Sequence, residues 1–308
     1  MAKNKWIGPF LLFVTALIWG TSFIAQEVGA NDGIGSFTFQ ATRNALGAIA
    51  LFLVWMLRDC YQKKKGCYQP MTAQSKKALL WGGLGCGCLL CAATVLQQFG
   101  IAETETSPGK AAFITALYIV FVPLFSLALK RFSQPHVYLC VAVALGGLWL
   151  LCMSGSSLMK GDLLVILCAV LFAFHIMLVD HVAPHVDGIR LSCIQFTVAA
   201  VISAVGMLLT EEPDAQVILR NWFPIFYSGI FSAAIAYTLQ IVGQKYTQPT
   251  IACLLMSLES VFAVLTSMVM MPEQTPSNAR EWIGMAVILV AIVLAQIPLK
   301  YGKRKEQV

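Results

Sequence analysis

Charge is the scarcest commodity in this chain. Only 12% of its 308 residues are Asp, Glu, Lys or Arg, about half the fraction of a soluble domain, while 58% are hydrophobic. A single water-soluble core cannot absorb that much apolar sequence, which leaves segments whose solvent is lipid, each about 20 residues long. The GxxxxGK[ST] pattern is absent, so the chain carries no such nucleotide-hydrolysing motor. HExxH and GxSxG are absent too, and no other catalytic constellation stands out. Ten cysteines are present, but most lie inside apolar runs, as small hydrophobes and not as a disulfide framework. Nothing calls for a cofactor or a metal. The net charge of +6 does not point to nucleic acid, because Lys and Arg are gathered in short turns between apolar runs, where they set membrane orientation.

What is present is a series of about ten apolar segments: Trp6–Gln26, Gly35–Leu57, Ala78–Gly100, Pro108–Leu129, His136–Met153, Asp162–Val182, Leu191–Leu209, Trp222–Gly243, Pro249–Met271 and Glu281–Pro298. They are too long and too evenly apolar for barrel strands, so they are expected to be helices that satisfy their own backbone in lipid. The first follows Lys3 and Lys5 but is too long for the core of a cleaved signal peptide, and reads as a retained span. One set of alternate connections holds Arg58, Lys63, Lys64, Lys65, Lys76, Lys77, Lys130, Arg131, Lys245 and the basic tail. The other holds Glu27, Asp32, Glu103, Glu105, Lys160, Glu211, Glu212, Asp214 and Glu273. This bias places both termini in the cytoplasm of a multi-pass cell-membrane protein. The least decisive connection is Ala183–Arg190, where Asp187 and Arg190 cancel.

The two halves resemble each other. The stretch after Pro108 lines up with the stretch after Pro249, matching Leu117, Val120 and Phe121 with Leu258, Val261 and Phe262 and placing Tyr118 opposite Glu259. Upstream, Leu96, Gln97 and Gly100 match Leu239, Gln240 and Gly243, with two extra residues in the first half. ALIWGTSFI from Ala16 matches AVLFAFHIM from Ala169, which sets Glu27 opposite Asp180. Residues 1–153 and 154–308 are therefore read as two five-span repeats, the second ending in the basic tail. Five is odd, so the second repeat enters the membrane inverted, a recurrent construction of secondary transporters.

ALIWGTSFIA, the Gln97-to-Pro108 turn, SPGKAAFITALYIVFVPLF, GDLLVILCAVLFAFHIML and SLESVFAVL together resemble the drug/metabolite transporter superfamily, in its bacterial EamA-type branch, over nearly the whole chain. The resemblance implies an all-α membrane protein of ten helices with cytoplasmic termini. It also implies a central cavity built mainly by the first, third, fourth, sixth, eighth and ninth spans, and alternating access that often exports amino acids or related metabolites. Ser260 stands where many relatives carry Pro. The expected partners are a small-molecule substrate and the lipid bilayer, with a homodimer left open. A sensor or scaffold without flux, or an intramembrane enzyme, is the competing reading.

The candidate site residues are polar or aromatic groups inside the spans: Trp19, Thr21, Arg43, Gln97, Tyr118, His175, Tyr237 and Gln240 as substrate-cavity residues, and Glu259 as a coupling or structural group. Arg43 is costly in a membrane; it either recognises an anion or forms a structural ion pair, for instance with Glu27. On the second span it stands farther from the expected ring of Trp19, Tyr118, His175 and Glu259. Lys110 either snorkels to the interface or draws anions inward. Ser22 and Thr21 either face the cavity or bond back to their own helix. His181 and His185 have a metal-capable spacing that Pro184 interrupts. Gly83, Gly87 and Cys91, four residues apart, are expected to allow close helix packing.

Overall fold

A computed structural model describes residues 6–103, 108–130, 134–152, 160–271 and 279–296. Lys3, Lys5, Glu105, Arg131, Glu273 and the basic tail lie outside the described residues. All regular structure among those described is helical: α1 (Ile7–Asn31), α2 (Ser36–Lys64), α3 (Ala73–Ala102), α4 (Pro108–Thr115), α5 (Tyr118–Ala128), α6 (Pro135–Cys152), α7 (Lys160–Val182), α8 (Gly188–Thr210), α9 (Ala215–Arg220), α10 (Trp222–Phe226), α11 (Tyr237–Gln244), α12 (Pro249–Met256), α13 (Leu258–Met270) and α14 (Ala279–Gln296). A π-helical stretch, Tyr227–Ala236, joins α10 to α11, and a short 3-10 turn, Ala183–His185, follows α7.

Eight helical spans among the described residues are long and apolar enough to cross a membrane: Ile7–Asn31, Ser36–Lys64, Ala73–Ala102, Gly109–Ala128, Lys160–His185, Gly188–Thr210, Trp222–Gln244 and Pro249–Met270. Two shorter apolar helices, Pro135–Gly147 and Trp282–Ala295, match the expected fifth and tenth segments. The protein is therefore a multi-pass α-helical membrane protein. Its outward faces carry exposed Phe10, Leu53, Trp81, Leu209 and Val269, apolar surface of a kind that water would not tolerate in such quantity and lipid does.

Two spans are broken at the same place. α4 runs eight residues from Pro108 and α12 eight from Pro249; after each the chain makes a short turn before α5 and α13 resume. At the first turn Leu117, Ile119 and Val120 donate to carbonyls three residues back, and at the second Ser260 does the same to Ser257. Ser260 therefore sits at a helix interruption without the help of proline, its hydroxyl donating to Ser257 O at 2.8 Å. Pro123 lies inside α5, beyond the break.

The packing follows the repeat. α1 lies against α13, α11 and the π-helical stretch, while α7 lies against α5, α4 and α3. α2 pairs along its length with α8, and α6 with α14. Glycine lets α3 approach α8. A Cβ on Gly87 would lie 2.6 Å from Val198 Cβ and 2.8 Å from Gln195 O, and one on Gly83 2.5 Å from Ile194 Cγ2. Cys91 continues the stripe with its thiol 3.4 Å from Ser203 Oγ.

The α2–α8 pair is tied at both ends. At one end the Arg58 guanidinium donates two bonds to Asp187, each 2.9 Å. Beside it Arg190 donates to Asp59 at 2.8 and 3.0 Å, and Trp55 Nε1 donates to the same carboxylate at 2.8 Å. Burial pushes the Asp187 carboxyl up, but the Arg58 bonds and the Arg190 backbone N–H outweigh it and hold that carboxyl below the usual range. At the other end Glu211 accepts from Phe37 N and Thr38 N, both at 2.8 Å, and from Thr38 Oγ1 at 2.7 Å, supplying acceptors to the first N–H groups of α2.

Candidate functional site

A cavity of about 30 Å³ lies between the halves, room for about two water molecules. α1 contributes Trp19, Ser22, Phe23 and Gln26, and α2 contributes Arg43. Gln97 comes from α3, Thr115 and Tyr118 from the broken α4–α5 span, and Phe172 and Ile176 from α7. Ser232 stands on the π-helical stretch, Tyr237 and Gln240 on α11, and Glu259 at the start of α13. Four pairs of repeat-related positions share this wall: Trp19 with Phe172, Phe23 with Ile176, Gln97 with Gln240, and Tyr118 with Glu259. The last pair touches directly, the Tyr118 hydroxyl donating to Glu259 Oε1 at 2.9 Å. Each of these two residues follows its helix break, so the same local turn in each repeat delivers one partner to the centre.

Seven of the nine residues named from the sequence line the cavity: Trp19, Arg43, Gln97, Tyr118, Tyr237, Gln240 and Glu259. Thr21 and His175 do not. Thr21 lies on another face of α1, where its hydroxyl bonds to Leu17 O, to Ile18 O and to the Tyr227 hydroxyl. His175 is fully buried one layer behind the wall. Its Nε2 lies 3.2 Å from Gln195 Oε1, and its ring meets the edge of Tyr237, which in turn packs on Trp19 with centroids 4.6 Å apart.

Arg43 is placed differently from the expectation for its span. A Cβ on Gly47 would lie 2.9 Å from Gly229 O and from Ala233 Cβ, and one on Gly229 would lie 2.9 Å from Arg43 O. These contacts draw α2 against the π-helical stretch and carry Arg43 to the cavity. Its side chain is almost wholly buried, and Nε and Nη1 have no hydrogen-bond partner. No ion pair joins it to Glu27 or to any other carboxylate among the described residues. Lys110 neither snorkels nor faces outward: Nζ lies 2.6 Å from Asp162 Oδ2, whose side chain is fully buried. His181 and His185 stand with ring centroids 6.2 Å apart where α7 gives way to the 3-10 turn, His185 Nδ1 lying 3.1 Å from His181 O.

Sequence reasoning missed Gln26, Thr115 and Ser232 as wall residues. Gln26 and Ser232 carry a helical-face signal only once the packing partner is known. Thr115 belongs to the break, where its Oγ1 accepts from Gln97 Nε2 at 3.0 Å.

Comparison with known proteins agrees with this architecture. The EamA-like transporter family matches residues 6–153 and again 159–296. An uncharacterized transporter of Archaeoglobus fulgidus is 26% identical over 295 residues, covering 93% of this chain and 84% of its own length. An uncharacterized transporter of Synechocystis sp. is 25% identical over 311 residues, covering 94% and 87%. One crystal structure shares the fold with a TM-score of 0.71 at 18% identity, over 94% of this chain and 96% of its own. With both halves matched and the spans present, the chain belongs to the EamA-like transporter family and is a membrane transporter.

Proposed function

We propose that this transporter is a secondary carrier of a small polar metabolite, an amino acid or related compound, which it exports across the cytoplasmic membrane by alternating access. The observation that carries the reading is the Tyr118–Glu259 bond in the wall of a cavity lined by repeat-related positions of both halves. Two five-span repeats, residues 1–153 and 154–308, inverted relative to each other, would rock about this site and expose it to each side in turn. Export, as the direction, rests on the resemblance to the family. The absence of a nucleotide-binding motif leaves ion gradients, exchange or downhill flow as the energy source.

Ten spans with both termini cytoplasmic put the Arg58–Asp187 and Arg190–Asp59 ties on the cytoplasmic side and Glu211 outside. In intact cells, Cys60 and Cys67, both exposed, are then expected to resist an impermeant thiol reagent, and a cysteine replacing Glu212 to react with it. The reverse pattern inverts the topology.

The site itself is tested in proteoliposomes with purified protein. Cysteines replacing Trp19 or Tyr118, in a background without reactive cysteines, are expected to react with a small aqueous thiol reagent, and a transported solute to slow that reaction at least severalfold. Counterflow of the unchanged solute separates a carrier from an enzyme, which alters it, and from a scaffold, which moves none. Two unreactive positions would mean a dry helix contact in place of a substrate path.

A further inference from the structure

We infer that Arg43 is the group that recognises the substrate, that it does so by binding a carboxylate, and that the carried metabolite is therefore a small organic carboxylate. This rests on the carrier reading above and adds to it the ligand chemistry and the residue that reads it.

The inference starts from unmet hydrogen bonds. Buried polar groups in folded proteins are nearly always partnered, because leaving one unpaired is costly, and a lone guanidinium in a membrane interior is costlier still. Arg43 is 2% exposed, faces the cavity and has two unpartnered donor nitrogens. Trp19 Nε1, in the same wall, is a third buried donor without an acceptor, and Ser22 Oγ is also unpartnered. These donors converge on one space from α1 and α2. A planar carboxylate, with two acceptor oxygens, satisfies a guanidinium in a way that no neutral sugar or cation can. Across the same wall, Gln26 Oε1 and Gln240 Oε1 are unpartnered acceptors. They leave the far end of the ligand free to donate hydrogen bonds.

The second repeat shows what this place looks like when it is filled. Arg43 is the eighth residue of α2, and Gln195 the eighth of α8. Ser22 is the repeat partner of His175. In the second repeat the His175 imidazole occupies the gap and meets Gln195 Oε1 at 3.2 Å. In the first, a serine replaces the imidazole and an arginine the glutamine. The ring is missing, and the cavity here is faced by a guanidinium with two donor nitrogens that have no partner among the described residues. Only the first repeat keeps an opening of anion-binding character, so the ligand's acidic end is held off the pseudo-twofold axis, on the α1–α2 side.

The test uses purified full-length protein and a panel of amino acids and short-chain carboxylates, each paired with its own carboxamide, together with sugars, nucleosides and polyamines. Binding is read by thermal stabilisation and by cavity tryptophan fluorescence, and flux by counterflow. At least one carboxylate is expected to bind, and its carboxamide to bind about ten- to a hundredfold more weakly, the effect of losing a charge-assisted hydrogen bond. Arg43→Gln should abolish the difference between acid and amide. Trp19→Phe, which keeps the aromatic wall and removes one donor, should weaken the acid severalfold; it serves as the second probe if Arg43→Gln does not fold. Equal binding of acid and amide by the wild type, full acid binding by a folded Arg43→Gln variant, or binding by no carboxylate in the panel overturns the inference. Counterflow of a sugar or polyamine alone leaves the carrier standing and removes the carboxylate. Carboxylate binding through Arg43 with no counterflow of any compound leaves the anion site and removes the carrier.

Discussion

Replacing Glu259 by Gln is expected to abolish solute accumulation driven by a proton gradient while leaving counterflow intact. Glu259 is 3% exposed, lines the cavity and accepts the Tyr118 hydroxyl at 2.9 Å. A carboxylate in such a place is expensive unless it is paired or protonated, so in the proposed alternating-access cycle this carboxyl is suited to carry a proton. Glutamine has the same shape, and its amide oxygen still accepts from Tyr118. The centre of the bundle is kept and only the exchangeable proton is lost. The measurement is uptake into proteoliposomes with and without an imposed pH gradient, beside counterflow at equal pH. A variant that is folded, active and unchanged in its response to the gradient removes the proton role. A variant that cannot be purified as folded protein assigns Glu259 to holding the repeats together.

The second large effect is expected from a single methyl group. Gly20→Ala should lower the thermal stability of the purified protein and suppress transport. A Cβ there would stand 2.5 Å from Phe262 Cβ, 2.7 Å from Glu259 O and 2.9 Å from Ala263 N. Two of these atoms are α13 backbone and cannot step aside like a side-chain tip, so α1 and α13 must separate. Overpacking of this kind costs about 1–3 kcal/mol. The displaced carbonyl belongs to Glu259 itself, so the Tyr118–Glu259 contact moves with it. Gly146→Ala is the control, because a Cβ at Gly146 meets nothing within 4 Å. Unfolding followed by heating in detergent, with counterflow in parallel, should separate the two variants clearly. Equal behaviour would refute close α1–α13 contact.

The membrane class, the approximate extent of each span and the kinship of the two halves can be read from residues alone. Each rests on a local property: the apolar run needed to cross lipid, the clustering of Lys and Arg in alternate turns, and the shared order of Pro108 and Pro249, Gln97 and Gln240, Tyr118 and Glu259. Where structure departs from that reading, no local signal was available. No proline marks the breaks before Tyr118 and Glu259, and nothing in the composition of Tyr227–Ala236 announces a π-helix. α9 is a six-residue, mostly apolar helix in what reads as a loop, and its Val217 and Ile218 pack against Ile34, Phe39 and Ile225.

Periodicity says that a residue lies on a helix but not which neighbour its face will meet, since lipid-facing and protein-facing sides are both apolar here. That choice belongs to the tertiary structure. It turned Thr21 toward Tyr227 and set His175 behind Tyr237. It paired Lys110 with Asp162 and, through the contact of Gly47 with Gly229 and Ala233, carried Arg43 to the cavity. The sequence by itself determined that this protein lives in a membrane as a duplicated helical bundle, because burial in lipid is decided by composition over about 20 residues. Only the tertiary structure decided which polar groups converge, because that depends on helix approach at the scale of a single Cβ.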